Sequence, residues 1–214
     1  MKIIIPARSG SKGLPGKNRK LFDFTASIIP EDFIADTFVL TDDPEISKLS
    51  SKYGISAINR PLETATDSAS MKLTCEWAIS HLRSIQKLAS SEDILLLYLT
   101  YPERTWSDVE AALSFYSERE AGSLLCKKPA PVSPFLMLIE DGFEGRQPFY
   151  HDLYRRQDYP PCFEISHFIC IFNSDQINRL NNNLYSTRTV FMPISSVIDV
   201  DTQKDLDQYN GNYK

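Results

Sequence analysis

Long apolar runs are missing from this chain. The longest near the middle, residues 94–99, has six residues, and a membrane helix needs roughly 20. The unbroken apolar stretch before Pro6 is three residues long, against about 7–15 in a secretory core. Neither a membrane span nor a signal peptide is expected. Runs of Lys or Arg are missing too, and the formal net charge is −5. That balance argues against a nucleic-acid partner, but leaves room for a local cationic pocket. The four cysteines, Cys75, Cys126, Cys162 and Cys170, form no C-x-x-C pair. In a chain with an ample core they read as reduced, mostly buried thiols, and the cytoplasm is the expected compartment. His81, His151 and His167 show no metal-ligand spacing. No Ser/His/Asp arrangement stands out.

Glycine is also scarce. There are eight in 214 residues, about half the usual share. Yet Gly10, Gly13 and Gly16 fall within seven residues, among Arg8, Lys12, Lys17, Arg19 and Lys20.

The hydrophobic pattern predicts α/β architecture in one domain over residues 1–214. Strands are expected at 2–5, 36–41, 55–58, 93–100, 121–126, 167–172, 189–193 and 197–200. Helices are expected at 44–53, at 67 to about 88, at 108–118 after Ser107 as cap, at 174–180 and at 202–209. Thr202 and Asp205 form an approximate capping box. Residues 128–163 read as an inserted, irregular β arm. Strands alternating with helices imply a three-layer, Rossmann-like, mostly parallel sheet. Ligands in such sheets bind at the carboxyl ends of the strands, which is where the glycine-rich loop lies.

That loop, PARSGSKGLPGKN from Pro6 to Asn18, is neither a Walker A loop nor a dinucleotide fingerprint. The first needs G-x-x-x-x-G-K-[ST] and the second G-x-G-x-x-G, whereas the spacing here is G-x-x-G-x-x-G. The physics still favours phosphate over a solvated basic turn. Glycines let main-chain N–H groups approach an anion, and Arg8, Lys12 and Lys17 supply charge for a polyphosphate and its leaving group. Near the other end, Asp199 and Asp201 stand two apart on an extended segment. Side chains at i and i+2 share a face, so both carboxylates can meet one cation. Asp201 also suits the cap of the last helix.

IPARSGSKGLPGKN resembles the signature of the acylneuraminate cytidylyltransferases and their relatives acting on other nonulosonic acids and on 3-deoxy-manno-octulosonate. Further similarities follow in order: TDD at 41–43, RPLETATDSAS at 60–70, RRQDYP at 155–160 and IDVDTQKDLD at 198–207. The resemblance implies a nucleotidyltransferase fold whose arm contacts a second copy in a homodimer. It also implies transfer of CMP from CTP to a keto acid sugar, with Mg²⁺ as cofactor.

Residue by residue, the resemblance implies that Arg8, Lys12, Lys17 and Asp201 are catalytic. Ala7, Arg8, Gly10, Ser11, Lys12, Gly13 and Asn18 hold the nucleotide, with Arg60 facing the cytosine and Ala69, Ser70 and Thr100 adding contacts. Asp199 and Asp201 take the metal. Arg104, Arg146, Arg156 and Phe163 face the sugar, Arg156 best matching a partner for its carboxylate. Asp42, Asp43 and Asp67 read most simply as helix caps.

Three stretches depart from the family pattern. YLTYPER at 98–104 keeps Thr100, Pro102 and Arg104 of a Gln-Pro-Thr-Ser-Pro-Leu-Arg-like stretch, but has Tyr98, Tyr101 and Glu103. Ser166 and His167 stand where Asn-Gly is common. Between Arg19 and Asp36 the family's full helix is shortened, and Pro30 is expected to interrupt any helix. The alternatives are another sugar acid on the same fold, or a nucleotide-binding protein without turnover.

Overall fold

The computed structural model describes residues 1–212. Among the described residues nine strands form, seven of them in one sheet: β1 (Lys2–Pro6), β2 (Thr37–Thr41), β3 (Ser56–Asn59), β4 (Asp93–Leu96), β5 (Ser123–Pro129), β8 (Phe163–Asn173) and β9 (Thr189–Pro193). Their order is β3-β2-β1-β4-β8-β5-β9. Only β8 runs against its neighbours. Strands β6 (Ile139–Asp141) and β7 (Glu144–Arg146) make a separate hairpin in the arm.

Alternation along the strands sorts the core into two layers. Ile3, Ile5, Leu95 and Leu97 face one side, with α1 (Lys17–Ala26), α3 (Pro44–Lys52) and α6 (Trp106–Ser117) packed over them. Ile4, Ile94 and Leu96 face the other, under Cys75, Ala78 and Leu82 of α5 (Met71–Ser84). Both faces of β1 and β4 are thereby buried, the reason for their continuous apolar runs.

Several expected boundaries move, each for a local reason. The helix expected to be short between Arg19 and Asp36 is α1, which starts at Lys17, inside the glycine loop, ends at Ala26 and buries Leu21, Phe22, Thr25 and Ala26. No helix runs through Pro30, as expected: α1 ends at Ala26, and Pro30 is the N-cap of the separate short helix α2 (Glu31–Ile34), where its missing N–H costs no bond. The helix expected from residue 67 begins at Met71, since the Ser70 side chain caps it at Leu73 N. A separate short helix, α4 (Leu62–Ala65), precedes it. Thr105 rather than Ser107 caps α6, in a capping box with Asp108. Residues 197–200 form no strand; Val200 N donates one bond, 2.8 Å, to Thr100 O. The capping box of Thr202 and Asp205 does start α7 (Gln203–Asn212). All four cysteines are free, three of them buried.

Candidate active site

The loop after β1 is anchored to the end of β2. Ala7 N donates to Leu40 O at 2.9 Å. Ser9 gives both its N–H, 2.6 Å, and its Oγ, 2.5 Å, to the carboxylate of Asp42. Asp42 is therefore an anchor for the loop rather than a cap. Burial pushes its carboxyl upward, but the bonds from Ser9 outweigh this and hold it below the usual carboxylate range. Asp43 is the expected cap of α3, accepting from Glu45 N, and it also takes a two-pronged bond from Arg19. Asn18 Nδ2 donates to Arg8 O at 2.8 Å, tying the loop's start to its end.

Two of the three loop glycines answer a conformational demand and the third a spatial one. Gly10 and Gly16 have φ of +67°, which side chains resist. At Gly13 a Cβ would lie 2.5 Å from the carbonyl oxygen of Asp201. The glycine loop and the acidic segment near the other end of the chain are thus in direct contact. Gly16 then opens α1, whose first free N–H groups end the loop in a manner suited to an anion.

Every one of the loop's three predicted phosphate cations rests on a carboxylate. Arg8 Nη1 and Lys12 Nζ meet the two oxygens of Asp67, each at 2.6 Å. Lys17 Nζ meets Asp201 Oδ1 at 2.6 Å. Hydrogen bonds from Lys12, then Arg8, hold the Asp67 carboxyl below its ordinary value. Asp67 is therefore not the helix cap expected of it.

Two adjoining cavities open here. The larger cleft, about 250 Å³, is lined by Arg8, Ser11, Lys17, Asn18, Arg60, Ala69 and Thr100 among others. Arg60 is 4% exposed. Its Nε and Nη2 donate to the hydroxyls of Thr64 and Thr74, and Nη2 also to Thr64 O. Burial lowers its pKa, and the nearby Asp42 opposes that shift. Of the other nucleotide residues named from the sequence, Ala7, Gly10, Lys12, Gly13 and Ser70 lie outside the lining. Lys12 stands at the rim, its side chain 84% exposed.

The second cavity, about 240 Å³, shares Lys17, Tyr98 and Thr100 with the first and adds Tyr101, His167, Asp199 and Asp201. The two aspartates therefore do face one space. Among the described residues no group of three or more His, Cys, Asp or Glu could hold a metal. Two carboxylates suit a hard cation that completes its shell with phosphate oxygens and water, so the pair fits Mg²⁺.

Three residues that depart from the expected pattern, Tyr98, Tyr101 and His167, line this cavity. Tyr101 OH donates to Asp199 Oδ2 at 2.8 Å, and burial followed by the Asp199 charge pushes the phenol upward. Glu103 Oε2 accepts from Ile198 N at 3.0 Å, fixing the backbone just before Asp199. The rings of Tyr98 and His167 stand 5.4 Å apart, and His167 Nε2 lies 3.2 Å from Asn183 O. The sequence marked Tyr98, Tyr101 and Glu103 only as mismatches.

The four sugar-facing residues line neither cavity. For Arg104 the structure corrects the expectation. It is 2% exposed, and its guanidinium donates to Phe168 O, Tyr98 O and Thr25 Oγ1. Burial lowers its pKa to about 10. Those bonds tie β8 to the turn after β4 and to α1, so Arg104 is a core brace. Arg146 lies on β7 and is exposed. Arg156 opens a 3₁₀ turn (Arg156–Asp158) and borders a hollow in the arm with Ser133, Leu136 and Tyr159. Phe163, at the start of β8, is 46% exposed, with Lys127 Nζ over its ring at 4.5 Å.

Comparison with known proteins agrees with this geometry. Residues 2–78 match a family model described as Cytidylyltransferase. The chain is 27% identical over 216 residues to an N-acylneuraminate cytidylyltransferase of Streptococcus agalactiae serotype V, covering 95% of this chain and 51% of that protein. It thus spans about half the length of the streptococcal relatives it matches. It is also 27% identical to the CMP-N,N'-diacetyllegionaminic acid synthase of Legionella pneumophila, over 94% of this chain and 91% of that one. Among solved structures, a CMP:2-keto-3-deoxy-manno-octonic acid synthetase in complex with CTP superposes with a TM-score of 0.66 at 15% identity, covering 99% and 97% of the two chains. A 4-diphosphocytidyl-2C-methyl-D-erythritol synthase from Anaerococcus prevotii gives 0.62 at 13%, covering 99% and 95%. The fold is the one these enzymes share, and the glycine loop lies within the stretch that matches the cytidylyltransferase model.

Proposed function

We propose that this protein transfers CMP from CTP to a nonulosonic, sialic-acid-like keto acid sugar and releases pyrophosphate. One observation carries the reading: Gly13 and Lys17 bring the glycine loop against Asp201, so the cations proposed for phosphate lie beside the carboxylates proposed for the metal. The likeness to CMP-sugar synthases supports the acceptor class. The alternative acceptor on this fold is 3-deoxy-manno-octulosonate, in keeping with the structural neighbour.

In this reading the triphosphate lies over residues 6–18. Arg8 and Lys12 neutralise the transferring phosphate, and Lys17 holds the departing pyrophosphate. Arg60 donates to O2 and N3 of cytosine. Uracil carries a hydrogen at N3, so the same donor rejects it. The acceptor's anomeric hydroxyl enters from the second cavity and attacks the α-phosphorus in line. The bond from that phosphorus to the bridging oxygen breaks. Asp199 and Asp201 would hold Mg²⁺, which when bound neutralises phosphate charge and acidifies the attacking hydroxyl. Tyr101 and Glu103 keep that carboxylate pair in place.

The arm completes the reading as the contact of a homodimer. Phe143, Tyr150 and Tyr154 stand almost fully exposed on it, an apolar surface that a second copy would cover. Arg146 and Arg156 would then serve the acceptor in the partner's site. The cytoplasm is the proposed compartment; no helix among the described residues is long and apolar enough to cross a membrane.

A second reading, nucleotide binding without turnover, draws on Tyr98, Tyr101 and Glu103, which replace the family's acceptor stretch. Pyrophosphate release from CTP, UTP and ATP with Mg²⁺ and a panel of keto acid sugars separates the two. Turnover with CTP and one such sugar supports transfer. Binding of CTP with no release on any sugar supports the second reading, and release with UTP equal to CTP removes Arg60 from base selection.

A further inference from the structure

The proposed mechanism uses Arg8, Lys12 and Lys17, but it has no role for Asp67. This carboxylate nevertheless receives both Arg8 and Lys12, one on each oxygen, at 2.6 Å. It borders the nucleotide cleft, on the turn between α4 and α5. The loop does not need it for its shape. Ser9 on Asp42, Asn18 on Arg8 O and Gly13 against Asp201 fix the loop backbone without Asp67. What Asp67 fixes is two cationic side chains, in the position where an oxyanion would be gripped. An exposed carboxylate with two oxygens and two donors has the bonding pattern of one phosphate edge.

We propose that Asp67 is an internal stand-in for phosphate. It collects Arg8 and Lys12 before the nucleotide arrives, and the triphosphate must displace it. The inference rests on the proposed nucleotide site. A phosphate among the same donors brings like charge against the carboxylate, so the two anions compete. The protein thereby gives up affinity for polyphosphate and keeps its cations gathered and neutralised until the ligand enters. Binding becomes an exchange of one anion for another, and product pyrophosphate is expelled by the same carboxylate.

The test is calorimetric titration of the full chain with CTP and with inorganic tripolyphosphate. Proteins to compare are the wild type, Asp67→Asn and Asp67→Glu. Since both ion pairs are exposed and individually weak, Asp67→Asn is expected to tighten both ligands about three- to tenfold. Asp67→Glu, which keeps the charge, returns the affinity toward that of the wild type. A carboxylate with a merely structural role predicts the opposite for Asp67→Asn, weaker binding of both ligands. Binding by the wild type that is unchanged or weakened in Asp67→Asn overturns the stand-in and leaves the nucleotide site intact. Failure of all three proteins to bind either ligand overturns both.

Discussion

Substitution of Gly13 by alanine tests the joint between the two halves of the site. The new Cβ would meet the Asp201 carbonyl oxygen at 2.5 Å, where ordinary contact begins at 3.4 Å. The loop and the 199–201 segment must therefore part by roughly half to one ångström. Neither side yields freely, because Asp42 and Asn18 hold the loop and Val200 N is bonded to Thr100 O. Overpacking of this kind costs about 1–3 kcal/mol. At ~2–4 °C per kcal/mol for a chain of this size, the melting temperature should fall by several degrees. The effect on transfer should be larger than the effect on folding. A displacement of about 1 Å in a positioned site costs on the order of 100-fold in rate. Melting followed by circular dichroism and turnover followed by pyrophosphate release read the two quantities separately. Gly13→Ala with activity within twofold of the wild type and an unchanged melting temperature would show that the contact has no mechanistic importance.

Further expectations concern single side chains. Lys12→Ala should lose turnover by about two to three orders of magnitude, as for removal of one transition-state donor. Its melting temperature should not change, since the side chain is 84% exposed; near-normal turnover would take Lys12 out of the mechanism. Tyr101→Phe removes the bond to Asp199 and should lower the rate about tenfold while leaving CTP affinity alone, by comparison of kcat with KM; a change in KM only would contradict a positioning role. Asp43 is 5% exposed and its carboxyl is held below the ordinary value: burial opposes this, but the bonds from Arg19 and Glu45 N prevail. Its contribution is therefore present above the unfolded pKa near ~4 and is lost as the pH falls through the lower folded value. Asp43→Ala should cost about 0.5–2 kcal/mol at neutral pH as a lost cap, and the difference from wild type should shrink below about pH 4. A difference that is the same at pH 3 and pH 7 would refute that assignment.

The legible part of the site was the part written in residue type and spacing. Three crowded glycines after a buried strand announce a turn that approaches an anion. Two aspartates at i and i+2 announce a shared face. Both features lie where expected, and they touch. What was not legible depends on partners distant in the chain. Asp67 looks like a cap by its place before α5, and only the fold shows Arg8 and Lys12 on it. Arg104 looks like a binding arginine in its motif, but the three acceptors that hold it lie on Thr25, Tyr98 and Phe168. Tyr101 and Glu103 count as mismatches in the sequence and as supports of the acidic segment in the structure. In the fold, alternation revealed which residues are buried. It did not reveal that β8 runs antiparallel, because burial on two faces has no direction. Pro30 was legible as a helix boundary, because a proline disrupts a helix from within and is tolerated where one begins.

The claim at the centre of this account is that the glycine loop and the acidic pair form one catalytic unit. A Mg²⁺ titration of CTP-dependent pyrophosphate release, run on the wild type and on Asp201→Asn, tests it most directly. The account predicts that the variant loses rate and needs more Mg²⁺ at the same time. Titration curves that superimpose would contradict it.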